Sequence, residues 1–191
     1  KKVLGVDGIA VPSSFLISST NLLSQNTTIH DEWKVLNGKN AFYLYNPNGS
    51  GVENFDEIPD FTIVANKDDD GVISVRFDAA YIYRYEKDKN FVSIEFIIDK
   101  SEIIAYSGEI RKVDNDNKTR VYISRKKGQM KFFDLFEMME NGSKIYVRLT
   151  GGGEPIVFKY SLKGFTEGWN KMKKSFFEWS DDNDNPFNST K

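Results

Sequence analysis

The sequence predicts a mainly β protein: an antiparallel β-sandwich of about nine strands with a short helix and a C-terminal amphipathic helix. Three observations predict it. The 191 residues include 15 Phe, 9 Tyr and 3 Trp, which fall in short runs alternating apolar with polar, the period of a half-buried strand. Turn-forming clusters separate the runs at intervals of about ten residues, the spacing of hairpins rather than of βα units. Two further segments repeat at three and four, which places an apolar stripe on each of two helices.

Strands are expected at residues 41–45, 61–65, 72–77, 81–85, 91–98, 103–110, 120–124, 144–149 and 155–162. In the 91–98 run, Val92, Ile94, Phe96 and Ile98 share one face while Ser93 and Glu95 share the other, as a period of two requires. Between the strands lie Asn46-Pro47-Asn48-Gly49, Asp68-Asp69-Asp70-Gly71, Asp114-Asn115-Asp116-Asn117, Asn141-Gly142 and Gly151-Gly152-Gly153, residue types that tolerate left-handed backbone and close tight turns.

The first helix is expected at 130–140, where Phe132, Phe133, Leu135, Phe136 and Met139 recur at three and four until Asn141-Gly142 stops it. The second is expected at 165–178 from Phe165, Trp169, Met172 and Phe176, capped by Thr166 or Ser161, with Lys171, Lys173 and Lys174 toward its C-terminal half, where cations suit the dipole. Burying Phe165, Trp169 and Phe176 against the sheet contributes about 1.5–3 kcal/mol each. Residues 1–30 show no sustained period and are expected to be irregular, 31–179 form the β domain with its helix, and 180–191 form a mobile acidic tail.

Composition narrows the chemistry. Hydrophobic residues at 39% with no run near the ~20 apolar residues of a bilayer span exclude an integral helical membrane protein. With 26 basic and 28 acidic residues the net charge is −2, so no overall field attracts nucleic acid. Cysteine is absent and His30 is the single histidine, which removes thiolate chemistry, disulfides and multi-histidine metal sites. No methionine precedes Met130, as expected of a chain whose leader or upstream segment has been removed. A periplasmic or secreted address is favoured over a cytoplasmic one.

Each candidate motif has a plainer reading that prevails. Asn66 to Ile73 imitates a calcium loop, with oxygens at positions one, three and five and Gly71 at six, but position twelve is Phe77 rather than Glu, so an acidic hairpin turn is expected and no metal is assigned. Glu95, Asp99, Glu102 and Glu109 lie on or beside strands, and glycoside hydrolysis needs two acids roughly 5–10 Å apart; alternation alone places them at the wet face. His30, beside Asp31 and Glu32, is expected at the surface. Gly151-Gly152-Gly153 precedes a strand, not the helix a phosphate cradle requires. The lysines near Trp169, Phe176 and Trp179 belong to the wet face of a helix rather than to a nucleic-acid platform. Asn26, Asn48, Asn117, Asn141 and Asn188 each begin an Asn-x-Ser/Thr triplet, which an Asn-rich composition explains.

Two stretches resemble known families. Trp179-Ser180-Asp181-Asp182-Asn183-Asp184-Asn185-Pro186-Phe187 resembles the acidic Pro-Phe tip by which bacterial single-stranded-DNA-binding proteins recruit partners, although here Asn188 to Lys191 follow the Phe. That likeness implies protein contacts through Asp182, Asp184 and Phe187. The order Ile110-Arg111-Lys112-Val113, Arg120-Val121-Tyr122-Ile123-Ser124, a short helix ending Met138-Met139-Glu140, Lys144-Ile145-Tyr146-Val147-Arg148-Leu149, and Phe158 to Phe165 before a helix resembles small envelope accessory β-sandwiches. These are the type VI secretion-associated and invasion-associated locus B families. The likeness covers about residues 61–176 and implies a non-catalytic accessory role. Those families carry paired cysteines and this chain has none.

The function expected from these features is a non-catalytic protein-binding or accessory module of a bacterial or phage system, acting through sheet edges or hairpin loops. No catalytic residue, cofactor, metal, nucleic acid or membrane insertion is expected, and the oligomeric state stays open. The alternative is a carbohydrate-binding module or carboxylate-based glycoside hydrolase, in which exposed Trp33, Tyr43, Tyr45, Tyr83 and Tyr85 stack on sugar rings.

Overall fold

The structure, a computed structural model, describes residues 27–51, 58–67, 73–80, 91–112, 118–125, 131–151 and 155–184. The described residues form eleven strands: β1 (Thr27–His30), β2 (Trp33–Asn37), β3 (Ala41–Asn46), β4 (Ser50–Gly51), β5 (Asp60–Asn66), β6 (Ile73–Ala80), β7 (Phe91–Ile98), β8 (Ile104–Lys112), β9 (Lys118–Arg125), β10 (Lys144–Thr150) and β11 (Ile156–Ser161). Two helices accompany them, α1 (Lys131–Asn141) and α2 (Phe165–Asp184). No helix among the described residues is long and apolar enough to cross a membrane.

The protein is mainly β and antiparallel, as the alternation predicts. Where two stacked sheets are expected, however, the strands hydrogen-bond in one sheet of order β1-β2-β3-β5-β6-β9-β8-β7-β10-β11-β4, curled into a half-barrel. The curl is visible in the aromatic contacts. Phe61 on β5 lies 5.4 Å from the Tyr160 ring on β11, six places away in the sheet order; a flat sheet would hold those strands about 29 Å apart. Right-handed strand twist accumulates over such a sheet and lets one apolar face pack against itself.

The inner face is the core. Trp33, Val35, Phe42, Leu44, Phe61, Ile63, Val75, Phe77, Ile94, Phe96, Val121, Val147, Phe158 and Tyr160 all point into it and are buried. The helices fill its open side. Tyr106 on β8 meets Phe132 at 5.4 Å, Phe132 meets Phe136, Phe136 meets Trp169 at 4.7 Å, and Phe165 meets Trp33 at 5.0 Å. Phe165, Trp169 and Met172 are buried as the helical spacing predicts. A Cβ at Gly168 would lie 2.7 Å from Leu44, so glycine there lets α2 sit directly on β2 and β3.

Side-chain hydrogen bonds, with one backbone bond from the Glu32 amide to the Lys163 carbonyl at 3.4 Å, close the seam between the two limbs. Trp33 Nε1 and Asn46 Nδ2 each donate to the carbonyl of Ser161 at 3.0 Å, and the Tyr160 hydroxyl donates to the Pro59 carbonyl at 2.8 Å. Next to this seam, Gly164 adopts a φ of 85° against the β1–β2 turn, where a Cβ would fall 1.9 Å from the His30 carbonyl oxygen. Asp31 in that turn is left-handed, φ 52°, and pairs with Lys163 at 3.2 Å.

Several expectations are corrected. Trp33 is not exposed: it is 0% accessible and lies at the centre of the seam. β1 begins at Thr27, inside the segment expected to be irregular, while β2 and the two-residue β4 were not expected at all. α2 runs through Asp184, past the expected helix end. Neither expected cap closes α2: Thr166 Oγ1 donates to the Glu140 carbonyl at 3.0 Å, and Ser161 Oγ accepts from the Lys163 amide at 3.2 Å. The expected strand at 81–85, with Tyr83 and Tyr85, lies outside the described residues, as do residues 1–26, 68–72 and Phe187.

Candidate functional site

The outer face of the sheet carries the exposed chemistry. Register places Ile29, Lys34, Tyr45, Thr62, Arg76, Tyr122, Glu109 and Phe91 in one row crossing eight strands from β1 to β7. Its ends are exposed apolar side chains, Ile29 at 65% and Phe91 at 71%. Its middle is closed, since Val64 and Ser74, neighbours in the adjacent row, are buried.

At the β1 end, Lys34 Nζ stands 6.0 Å from the Tyr45 ring centroid. Burial, and then the nearby Asp60 carboxylate, raises the Tyr45 phenol above its ordinary pKa, so it is a neutral donor rather than a base. Tyr43, two residues along the same strand and face, is also half-buried. Among the described residues β1 ends the sheet order, and its four residues contain no Lys or Pro, the usual guards of a strand edge.

Farther along, the Tyr122 hydroxyl donates to Glu109 Oε2 at 2.5 Å, and Arg111 Nη2 reaches the same oxygen at 3.3 Å. The Arg111 guanidinium also lies 4.4 Å from the Tyr122 ring centroid. Burial and the hydrogen bond to Glu109 push the Tyr122 phenol up to about 12, which keeps its proton in place near neutrality.

The structure does not gather the four candidate carboxylates. Glu95 pairs with Arg148, and Glu109 is held by Tyr122 and Arg111. Glu95 stands opposite Ala105 and Glu109 opposite Phe91, an offset of four residues or about 13 Å along the strands. Asp99, left-handed at φ 51°, accepts from the Ser143 hydroxyl at 2.5 Å, the Ser143 amide at 3.0 Å and the Lys144 amide at 3.3 Å. These hydrogen bonds, the Ser143 hydroxyl foremost, hold its carboxyl below the usual range. Asp99 therefore acts as a joint between the end of β7 and the start of β10. Glu102 is exposed.

Among the described residues no three of His, Asp and Glu converge as metal ligands. Of the calcium-like run, Asn66 and Lys67 are described; Lys67 Nζ donates to Asn37 Oδ1 at 3.0 Å and the Gly38 carbonyl at 2.9 Å, 4.2 Å from the Phe42 ring centroid. It staples the β2–β3 hairpin. His30 keeps Nε2 buried, with no hydrogen-bond partner among the described residues, rather than standing free at the surface. Asp182 and Asp184 fall on the last turn of α2.

Sequence reasoning missed Ile29, Lys34, Arg76, Arg111 and Tyr122 as neighbours, because only strand register brings them together. Comparison of the chain with family models, with curated proteins and with solved structures gives no match.

Proposed function

We propose that this chain is a non-catalytic protein-binding module, an accessory component of a bacterial or phage system, that engages its partner along edge strand β1 and the adjoining outer flank. The observation that carries the reading is Ile29, 65% exposed on β1, the strand that ends the sheet among the described residues, beside Lys34 and Tyr45 on the same face. A strand at the end of a sheet is where an extended partner segment adds main-chain hydrogen bonds, and alternate side chains supply specificity. A partly buried tyrosine beside a cation is the kind of anchor on which interface energy concentrates. The resemblance of residues 61–176 to envelope accessory families supports a periplasmic or secreted setting.

The test uses the full chain as bait, with Ile29→Glu and Tyr45→Ala as variants. A stoichiometric partner captured by the wild type and lost from both variants, each with unchanged far-UV circular dichroism, supports the reading; capture unaffected by both overturns it. Burial of Trp33 removes one of the five aromatics on which sugar binding rested, while Tyr43 and Tyr45 still share a face. A glycan-array signal abolished by Tyr45→Ala, with no protein partner captured, would transfer the assignment to carbohydrate binding.

A further inference from the structure

The chain contains three Asn-Gly pairs, Asn37-Gly38, Asn48-Gly49 and Asn141-Gly142, and all three asparagines are exposed. An asparagine followed by glycine carries a reaction within itself. The backbone nitrogen of the glycine, unhindered by a side chain, attacks the asparagine Cγ and closes a succinimide ring; that nitrogen gives its proton to solvent base, and Nδ2 leaves as ammonia. Water then opens the ring at either carbonyl. The product is aspartate or, where the main chain is rerouted through Cβ and Cγ, isoaspartate. One water is consumed and one ammonia released.

Exposure does not separate the three sites; hydrogen bonding does. The Gly38 amide donates to the Ala41 carbonyl at 2.9 Å, and Asn37 Oδ1 accepts from Lys67 Nζ at 3.0 Å. At the end of α1 the Gly142 amide donates to the Met139 carbonyl at 3.3 Å, and Asn141 Nδ2 donates to the Glu137 carbonyl at 2.9 Å. Nucleophile and carboxamide are both held at each of these sites. At Asn48-Gly49 neither is: among the described residues the Asn48 carboxamide and the Gly49 amide have no hydrogen-bond partner, while the Asn48 amide donates to Asn46 Oδ1 at 2.8 Å. Asn48 and Asn141 head the same triplet, Asn-Gly-Ser, so the difference between them is one of structure.

We propose that Asn48-Gly49 is a site of spontaneous modification in the folded chain, where asparagine converts to aspartate and isoaspartate and the conversion loosens the seam. Pro47 to Gly49 carry the chain from β3 across to β4. Gly49 fits closely there, since a Cβ would lie 2.5 Å from the Tyr160 ring and 2.7 Å from Ile58. Isoaspartate adds a carbon to the main chain of that short span and places a carboxylate beside it. On one side stands Asn46, which donates to the Ser161 carbonyl; on the other, Ser50 and Gly51 pair with Lys159 and Phe158. The site is independent of the partner assigned to the β1 flank.

The test ages the full chain in mildly alkaline, heavy-oxygen water and maps its peptides by mass spectrometry. Position 48 is expected to take up label about tenfold or more faster than positions 37 and 141, because each hydrogen bond there lowers the population of the reactive conformer by a few-fold to about tenfold. In guanidinium chloride positions 48 and 141 are expected to react at the same rate, as their shared triplet requires. Equal rates in the folded chain, or a preference for position 48 that persists in denaturant, would overturn the proposal. The isoaspartate form, separated by anion exchange, is expected to exchange the Phe158 and Lys159 amides faster than the fresh chain. Asn48→Gln, whose longer side chain closes a ring more slowly, is expected to keep the fresh-chain exchange on ageing. Unchanged exchange in the isoaspartate form, or equal loosening of aged Asn48→Gln, would refute the effect on the seam.

Discussion

The limb built from β7 and β10 and the limb built from β2 and β3 line the same core but are held by different means. β10 zips to β7 through six consecutive register pairs, Ile145 with Ile98 through Thr150 with Ser93, and every second residue of both strands points inward. The β2–β3 limb reaches across the seam to β11 instead, and there Trp33 and Asn46 share the single carbonyl of Ser161. A ladder spreads cohesion over backbone groups that any side chain leaves in place. A side-chain seam concentrates it in a few residues, so substitutions of similar size should cost far more in one limb than in the other.

The largest effect is expected at the centre of the seam. Trp33→Ala removes a ring packed against Phe61 at 5.5 Å and Phe165 at 5.0 Å and should cost about 3–5 kcal/mol in urea denaturation, whereas Ile145→Val in the ladder limb should cost about 0.5–1.5 kcal/mol. Equal costs would erase the distinction between the limbs. Trp169→Ala, which uncouples α2 from Phe136, belongs in the same range as Trp33→Ala.

Gly164→Ala comes next. It combines a left-handed backbone with a Cβ 1.9 Å from the His30 carbonyl oxygen, so a loss of at least about 2 kcal/mol is expected, with the earliest rise in amide exchange in β1 and β2. Asn46→Ala removes one of the two donors to Ser161 and the acceptor that Asn48 N uses at 2.8 Å; about 1–2 kcal/mol is expected from calorimetry.

The smallest effect is a pH dependence in the ladder limb. The Asp99 carboxyl is depressed in the folded chain, so the stability it contributes is complete above the unfolded value near 4 and is lost as the pH falls through the lower folded value. Asp99→Asn, which keeps a residue tolerant of left-handed backbone, should therefore flatten the acid limb of a stability profile below about pH 4. An unchanged acid limb would show that Ser143 does not stabilise the charge.

The same contrast explains what was legible in the sequence. The strand at 91–98 is found with its expected bounds, and the alternation of Ile145, Val147 and Leu149 identifies β10, because both strands have one wet face and a regular partner on each side. Trp33 to Asn37 is short, follows the charged pair Asp31-Glu32, and has Leu36 on the wet face, so its period is obscured and Trp33 reads as an exposed aromatic. Alternation also cannot separate two stacked sheets from one curled sheet, since both bury every second residue. The contacts that decide between them join positions 115 and 128 residues apart. The outer row was illegible for the same reason: Tyr122, Glu109 and Arg76 are ordinary polar-face residues until register aligns them.

The closure of the curled sheet can be measured directly, because a chain without cysteine accepts two spin labels cleanly. Asp31→Cys and Lys163→Cys place labels on exposed side chains that form an ion pair across the seam, although β2 and β11 are eight places apart in the sheet order. Pulsed dipolar spectroscopy is expected to show a single short separation, under about 20 Å. A separation near the roughly 38 Å that an open sheet of the same strands would give would contradict the closed seam.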